Sequence, residues 1–140
     1  MDQLGFLDVL LRLGSAAFAG ALIGLDRELK DKPAGLRTMS LVSLGSSVFV
    51  LAIAGASADA SSRVIQGIVT GVGFLGAGTI MRRQQEHEVL GLTTAASIWL
   101  SSAIGVACGL AYWPLVMTGT ALCLFLLVIA PFEDWLRKRI

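Results

Sequence analysis

The sequence predicts an all-α membrane helical bundle with five transmembrane helices, its N-terminus outside the cell and its C-terminus in the cytoplasm. Three observations support this prediction: the apolar composition, the lengths of the apolar runs, and the distribution of positive charge. Hydrophobic residues make up 55% of the 140 residues, charged residues make up 15%, and the mean hydropathy is +0.77. In soluble globular chains, hydrophobic residues average about 45–50% and charged residues about 25%. The composition therefore favours a bilayer over a water-exposed fold.

Five apolar runs follow one another in what we interpret as a single domain, 1–140. Each run is 18 to 21 residues long, and a helix of about 20 residues crosses a hydrocarbon core of about 30 Å. The predicted helices are 7–25, 38–56, 64–81, 92–112 and 115–132. The first run has no basic segment before it, so we do not interpret it as a signal peptide.

Lysine and arginine are concentrated on one side of the predicted bundle. Nine of the eleven lie in the first and third connecting loops and in the C-terminal tail, whereas only Arg63 lies on the opposite side and Arg12 lies within the first helix. Positively charged loops remain in the cytoplasm. This bias predicts the orientation given above.

Composition and motifs argue against several classes of function. A net charge of +1 gives no electrostatic support for binding nucleic acid. Cys108 and Cys123 lie inside apolar runs, which indicates buried thiols rather than a disulfide framework or a zinc site. One histidine and the absence of a phosphate-binding Gly-x-x-x-x-Gly-Lys-Ser/Thr loop argue against an enzyme. We expect no cofactor beyond weak cation or lipid binding, and the sequence does not identify a metal.

The segment GLDRELKDKPAGLRT, Gly24 to Thr38, is the most charged part of the chain. Positive charge there serves orientation, but acidic residues contribute little to it, so Asp26 and Glu28 need another explanation. One interpretation is a solvated hairpin loop in which Thr38 caps the second helix. The other is a polar cluster at the cytoplasmic face that binds an ion, a lipid headgroup or a partner protein. The sequence leaves both open.

When the sequence is aligned with itself at an offset of 56 positions, several residues of the first half match residues of the second half. The matches are Gly20-Ala21 with Gly76-Ala77, Arg27 with Arg83, and Gly35-Leu36-x-Thr38 with Gly91-Leu92-x-Thr94. Our hypothesis is a parallel repeat of two hairpins about an axis along the membrane normal, as occurs in transporter folds. The two Gly-Leu-x-Thr helix starts would then lie near each other. Such N-termini suit an anion or a carboxylate such as that of Asp26 or Glu28.

Small residues recur at intervals that favour close helix packing in lipid. The predicted packing residues are Gly20, Gly24, Gly67, Gly71, Gly76, Gly78, Ser101, Gly105 and Gly109. For the glycine-rich third helix, the alternative is a bend that exposes carbonyl groups to a cation. The stripes also favour a homodimer, without showing which helix meets its mate. Asp8 and Arg12, spaced i,i+4, predict an ion pair, with a charged ion pathway as the alternative.

Three long segments resemble the MgtC/SapB family of bacterial inner-membrane proteins. They are GALIGLDRELKDKPAGLRTMSLVSLGS, GIVTGVGFLGAGTIMR and GLTTAASIWLSSAIGVACG, which together extend from Gly20 to Gly109. The resemblance implies a multi-pass protein of the inner (plasma) membrane linked to magnesium homeostasis and, in pathogens, to virulence. It also implies a regulator acting on the ATP synthase rather than a magnesium transporter. The family's motifs fall on Asp26-Arg27-Glu28, Pro33 to Thr38 and Gly91 to Ala96, and its arginine in the first helix falls on Arg12.

The resemblance is greatest to the short SapB-like form, because virulence-associated members carry a soluble domain after the last helix. Three functions stay open. The first is a non-enzymatic regulator acting through a functional polar cluster. That cluster comprises Asp26, Arg27, Glu28, Arg37, Thr38, Arg82, Thr93 and Thr94. The second is a small oligomeric channel or transporter for magnesium or another cation, with Asp8, Arg12 and Asp26 along its path. The third is a structural module whose charges only lock two hairpins. The expected partners are membrane lipid, a second copy and another membrane protein.

Overall fold

Helices dominate the structure, a computed structural model that describes residues 5–82 and 89–137. Five helices run along the described chain and are joined by short turns. They are α1 (Phe6–Leu29), α2 (Leu36–Ala52), α3 (Ala58–Gly78), α4 (Leu92–Gly109) and α5 (Trp113–Arg137). Between α3 and α4, strands β1 (Met81–Arg82) and β2 (Val89–Leu90) form one short antiparallel ladder. The predicted all-α class is confirmed, and the two-residue ladder was not predicted.

Several predicted boundaries are wrong, for local reasons. Helix α1 continues through the charged residues to Leu29, helped by the i,i+4 ion pair between Asp26 and Lys30. Helix α3 begins at Ala58 rather than at 64, because the Ser57 hydroxyl accepts a hydrogen bond from the backbone N–H of Ala60. The other helix ends also differ from the predictions. α2 begins at 36 and ends at 52, α3 ends at 78, α4 ends at 109, and α5 extends from 113 to 137.

Helices α2 and α4 run parallel to each other through the centre of the bundle. The Ser101 hydroxyl donates to the carbonyl of Met39 at 2.9 Å, and Gly105 lies against the carbonyl of Ser43. One turn further along, Gly109 lies against Val50, where an added Cβ would be 2.8 Å from the Val50 Cβ. The contacts advance in the same direction along both helices. The glycines and serines thus let two backbones approach closely.

Helix α1 lies antiparallel to both central helices. A Cβ on Gly20 would be 2.5 Å from the Met39 carbonyl oxygen, and one on Gly24 would be 2.5 Å from the Leu36 Cα. Fully buried Ile23 lies between these two glycines and belongs to the hydrophobic core. Close α1–α2 packing therefore depends on glycines one helical turn apart.

Two of the helices are long and apolar enough to cross a membrane by length and composition. They are Phe6–Leu29 and Leu92–Gly109, while Leu36–Ala52 and Trp113–Ile129 are apolar but shorter. The prediction of five spans and its orientation therefore stays a prediction.

Candidate functional site

The last turn of α1 and the adjacent Lys30 place charged side chains against three different helices. We define the α1 junction as Asp26, Arg27, Glu28 and Lys30 together with their partners Leu36, Thr94 and Leu127. Because an α-helix has 3.6 residues per turn, adjacent side chains point in directions about 100° apart. The junction therefore joins α1 to α2, α4 and α5 at one end of the bundle.

Arg27 connects α1 to α4. Its side chain is buried, with 5% of the residue exposed, and Nη2 donates a hydrogen bond to the hydroxyl of Thr94 in the first turn of α4. Thr94 is itself only 1% exposed, so the hydroxyl has no access to solvent. A buried charge is costly unless it is hydrogen-bonded. The Thr94 hydroxyl therefore supplies a hydrogen bond that the buried Arg27 guanidinium does not obtain from bulk solvent.

Glu28 connects α1 to the start of α2. Its Oε2 accepts a hydrogen bond from the backbone N–H of Leu36 at 2.8 Å, which satisfies one of the unpaired donors of a helix N-terminus. Gly35 lies against this carboxylate, and an added Cβ would be 2.6 Å from Oε2. The prediction that Thr38 caps α2 is wrong. Thr38 lies inside the first turn, and Glu28 provides the capping bond from the preceding helix.

Lys30 connects α1 to α5. Its Nζ lies 2.8 Å from Oδ1 of Asp26 and donates to the carbonyl of Leu127 at 2.7 Å. That carbonyl lacks the usual helical donor four residues later, because Pro131 has no backbone N–H. Lys30 was not among the predicted site residues. Pro131 in the fifth apolar run indicates that the carbonyl of Leu127 lacks its helical donor. The sequence alone does not show which side chain donates to that carbonyl instead.

The predicted polar cluster divides into two groups in the structure. Asp26, Arg27, Glu28 and Thr94 belong to the junction, whereas Arg37, Thr38 and Thr93 are exposed. The backbone of Arg82 lies in β1, but its side chain is outside the described part. Arg83, the predicted repeat partner of Arg27, lies outside the described residues. The exposed residues sit in the first turns of α2 and α4, at the same end as the junction.

The charged pair near the start of α1 forms a second link to α4. Arg12 Nη2 lies 2.7 Å from Oδ2 of Asp8, and Arg12 Nη1 donates to the carbonyl of Gly109 at 2.8 Å. Gly109 is the last residue of α4, where carbonyl groups lack helical donors and the helix dipole favours a cation. Helices α1 and α4 are thus joined by an arginine at each end, Arg12 and Arg27.

The predicted packing glycines also separate into two groups. Gly20, Gly24, Gly105 and Gly109 lie against neighbouring backbone or side chains, and Gly76 lies against Ala95 of α4. Gly67, Gly71 and Gly78 have no close neighbour in the described part of the chain, because a Cβ on any of them would meet nothing within 4 Å, and their role in helix packing stays a prediction. Gly67 and Gly71 instead line an apolar groove of about 570 Å³ between α2 and α3. In the described part of the chain, no three His, Cys, Asp or Glu side chains are grouped to hold a metal.

Comparison with known proteins identifies the family. The sequence profile described as the MgtC family matches residues 13–134. The chain belongs to the MgtC family. This confirms the resemblance found in the sequence, and the matched range includes the α1 junction and all but the first residues of α1.

Three members of the MgtC family illustrate the similarity. Protein SrpB of Synechococcus elongatus is 41% identical over 156 residues, covering 99% of this chain and 85% of that protein. Protein MgtC of Salmonella typhimurium is 44% identical over 115 residues, covering 82% of this chain and 49% of MgtC. The putative magnesium transporter YhiD of Escherichia coli is 38% identical over 131 residues, covering 87% of this chain and 60% of YhiD. The chain thus spans about half of MgtC, and no solved structure matches it.

Proposed function

We propose that this chain is a non-enzymatic regulator in the bacterial inner membrane that serves magnesium homeostasis through an exposed polar surface. The magnesium link rests on the family and on the name of its relative YhiD, a putative magnesium transporter. The observation that carries the regulator role is the division of the polar cluster. The junction side chains are bound to protein groups, whereas Arg37, Thr38 and Thr93 are exposed beside them.

The apolar surface that the helices leave exposed supports a membrane placement. Large apolar side chains face outward on several helices, including Phe18 of α1, Phe49 of α2 and Phe125 of α5. Soluble monomers rarely expose contiguous apolar patches of such extent. We place all five helices across the bilayer with the α1 junction at the cytoplasmic face, because nine of the eleven lysines and arginines then lie inside.

The exposed group acts, in this proposal, as a docking surface for another membrane protein. We define this contact surface as Arg37, Thr38 and Thr93. An exposed arginine and two hydroxyls suit an acidic or polar partner segment, since guanidinium groups bind carboxylates in a bidentate manner. The junction beneath holds the first turns of α2 and α4 in place. Docking of a partner needs a surface that is held in place and open to solvent, and the junction contacts beneath exposed Arg37, Thr38 and Thr93 support this role.

A cation channel or transporter is the second candidate, and one observation favours it. Oδ2 of Asp26 is buried and has no hydrogen-bond partner among the described residues. A carboxylate oxygen of this kind suits Mg²⁺, which prefers oxygen ligands. The other charged groups expected along a path have protein partners, because Arg12 binds Asp8 and the carbonyl of Gly109. Five helices in one protomer leave little room for a water-filled pore, so this function requires an oligomer.

Two measurements on matched variants test the proposal. Arg37→Gln removes the charge of the contact surface, and Arg63→Gln removes an exposed charge at the opposite end of the bundle. Each variant is expressed in a bacterium that lacks its own MgtC-family gene, and growth at limiting Mg²⁺ is compared with that of the wild type. We expect Arg37→Gln to abolish the growth benefit and Arg63→Gln to retain it.

Flux into liposomes separates the two candidate functions. We expect no Mg²⁺ or K⁺ flux from reconstituted wild type at protein densities where a known channel gives a signal. Flux that disappears in folded Asp26→Asn would replace the regulator with the transporter. A growth benefit that Arg37→Gln leaves unchanged would refute the contact surface.

A further inference from the structure

Two oxygen atoms from different helices meet at the ammonium group of Lys30. Its Nζ lies 2.8 Å from Oδ1 of Asp26 in α1 and 2.7 Å from the carbonyl oxygen of Leu127 in α5. Carboxylates and backbone carbonyls are the oxygen ligands that hard cations bind in proteins. The charged end of Lys30 therefore occupies a position that two cation ligands face.

The carbonyl of Leu127 is available to a ligand from outside α5. Pro131, four residues later, has no backbone N–H and leaves this oxygen without its helical donor. The Lys30 side chain is 33% exposed, so the same position is open to solvent. With the α1 junction at the cytoplasmic face, an ion from the cytoplasm reaches it without passing through the bundle.

Lys30 contacts only one oxygen of the Asp26 carboxylate. The other oxygen, Oδ2, is buried and has no hydrogen-bond partner among the described residues. A buried polar atom without a partner is costly. A hydrated divalent cation serves both oxygens, because one oxygen ligates the ion and the other accepts a hydrogen bond from water on the ion. The unpaired oxygen thus favours a ligand that offers more than one ammonium contact.

The charges of the junction decide how another cation enters. Asp26 and Glu28 carry two negative charges and Arg27 and Lys30 carry two positive charges, so the group sums to zero. A further cation is therefore bound only when one of these positive groups leaves. Lys30 is the C-cap residue of α1, and its flexible side chain can turn into solvent. Arg27 is buried and donates to Thr94, so Lys30 is the group that gives way.

We propose that Asp26 and the Leu127 carbonyl form a weak Mg²⁺ site that Lys30 occupies as a tethered competitor. Mg²⁺ keeps several water ligands and is held by one or two carboxylates, whereas Ca²⁺ takes about six to eight oxygens. Two protein groups beside solvent fit the first pattern. No three His, Cys, Asp or Glu side chains are grouped in the described part of the chain, so water completes the coordination.

The site gives the proposed regulator a way to respond to Mg²⁺, and in this respect it rests on the proposed function. Bound Mg²⁺ releases the ammonium of Lys30 into solvent, at the end of the bundle that carries the contact surface with exposed Arg37. At limiting Mg²⁺, Lys30 returns to Asp26. An acidic partner then meets a different surface in the two conditions, although no ion crosses the membrane.

Removal of Lys30 tests the competition in the purified full chain. Lys30→Met removes the ammonium that contacts Asp26, and Lys32→Met removes a positive charge from an exposed side chain two residues later. The apparent affinity of the wild type is lowered by the fraction of time that Lys30 holds the site. We expect Lys30→Met to bind Mg²⁺ about fivefold more tightly than Lys32→Met, since an ion pair of this kind is worth about 1 kcal/mol. Isothermal titration calorimetry at fixed ionic strength measures both affinities.

A second measurement follows the ammonium of Lys30 in the wild type. Acetylation by an amine-reactive ester is timed for each lysine by mass spectrometry. We expect MgCl₂ to raise the rate at Lys30 and to leave the rate at Lys32 unchanged. An equal effect of NaCl at the same ionic strength would assign the change to screening of the ion pair and overturn the proposal.

Asp26→Asn in the Lys30→Met background is the reference for the site itself. We expect this double variant to lose the binding. Binding that survives Asp26→Asn, or equal affinities of Lys30→Met and Lys32→Met, would overturn the proposal. These measurements do not depend on growth, and Arg37→Gln leaves Asp26 and Lys30 intact. Failure of the site and failure of the contact surface are therefore distinguishable.

Discussion

The α1–α4 pair is joined by polar contacts at both ends, whereas the α2–α3 pair leaves an open groove. In the α1–α4 pair, Arg12 of α1 binds Asp8 and the last carbonyl of α4. The equivalents of Asp8 and Arg12, 56 residues later, are Val64 and Ile68, and both line the groove. Polar contacts thus hold α1 and α4 together, whereas the apolar residues 56 positions later line an open groove.

The largest loss of stability is expected from a substitution where α2 packs against α4. Gly105→Ala places a Cβ against the Ser43 carbonyl, whereas Gly67→Ala places one in the open groove. The Ser43 backbone cannot move far to make room for the new methyl group. Gly105→Ala should therefore lower the free energy of unfolding by about 3 kcal/mol, at the upper end of overpacking effects. Unfolding by SDS titration in mixed micelles measures the difference. Equal effects of the two substitutions would contradict close α2–α4 packing.

A smaller effect is expected at the α1 junction. Thr94→Val keeps the shape of the side chain but leaves the buried guanidinium of Arg27 without its acceptor. Loss of a hydrogen bond to a charged group costs about 2 kcal/mol. Thr93→Val changes an exposed neighbour in the same helical turn and serves as the control. The same titration should show a loss for Thr94→Val alone, and a neutral Thr94→Val would remove Arg27 from the contacts that hold α1 to α4.

The smallest effect should come from making the α1–α4 pair resemble the α2–α3 pair. Arg12→Ile removes the bond to Gly109 and leaves Asp8 unpaired. We expect a loss of about 1 kcal/mol, because Asp8 is 38% exposed and its ion pair is therefore screened. The Asp8→Val/Arg12→Ile double variant reproduces the groove residues and should recover part of the loss, since no charge is left unpaired. A double variant less stable than Arg12→Ile would show that Asp8 acts independently of Arg12.

The fold class and the close-packing positions were predictable because they depend on local patterns. Apolar runs of helical length gave five helices, and small residues at Gly20, Gly24 and Gly105 marked close contacts. The end of α1 was not predictable, because Asp26 to Glu28 look like a solvated loop when read alone. The partners of Arg27, Glu28 and the adjacent Lys30 lie on three other helices, and Leu127 is 97 residues away from Lys30. The open surroundings of Gly67 and Gly71 were not predictable, because glycine spacing does not show which glycines of a helix face a neighbouring helix.

The hydrogen bond between Ser46 of α2 and Ser102 of α4 sets a limit to the likeness of the two hairpins. Ser46 donates its single hydroxyl proton to the carbonyl of Val42 at 2.9 Å, so it accepts the proton of Ser102. Two identical groups facing each other across an axis cannot both donate to each other. The bond has a direction, and that direction distinguishes the hairpins even where their residues are the same. Two hairpins of identical sequence would therefore still differ in the direction of this one hydrogen bond.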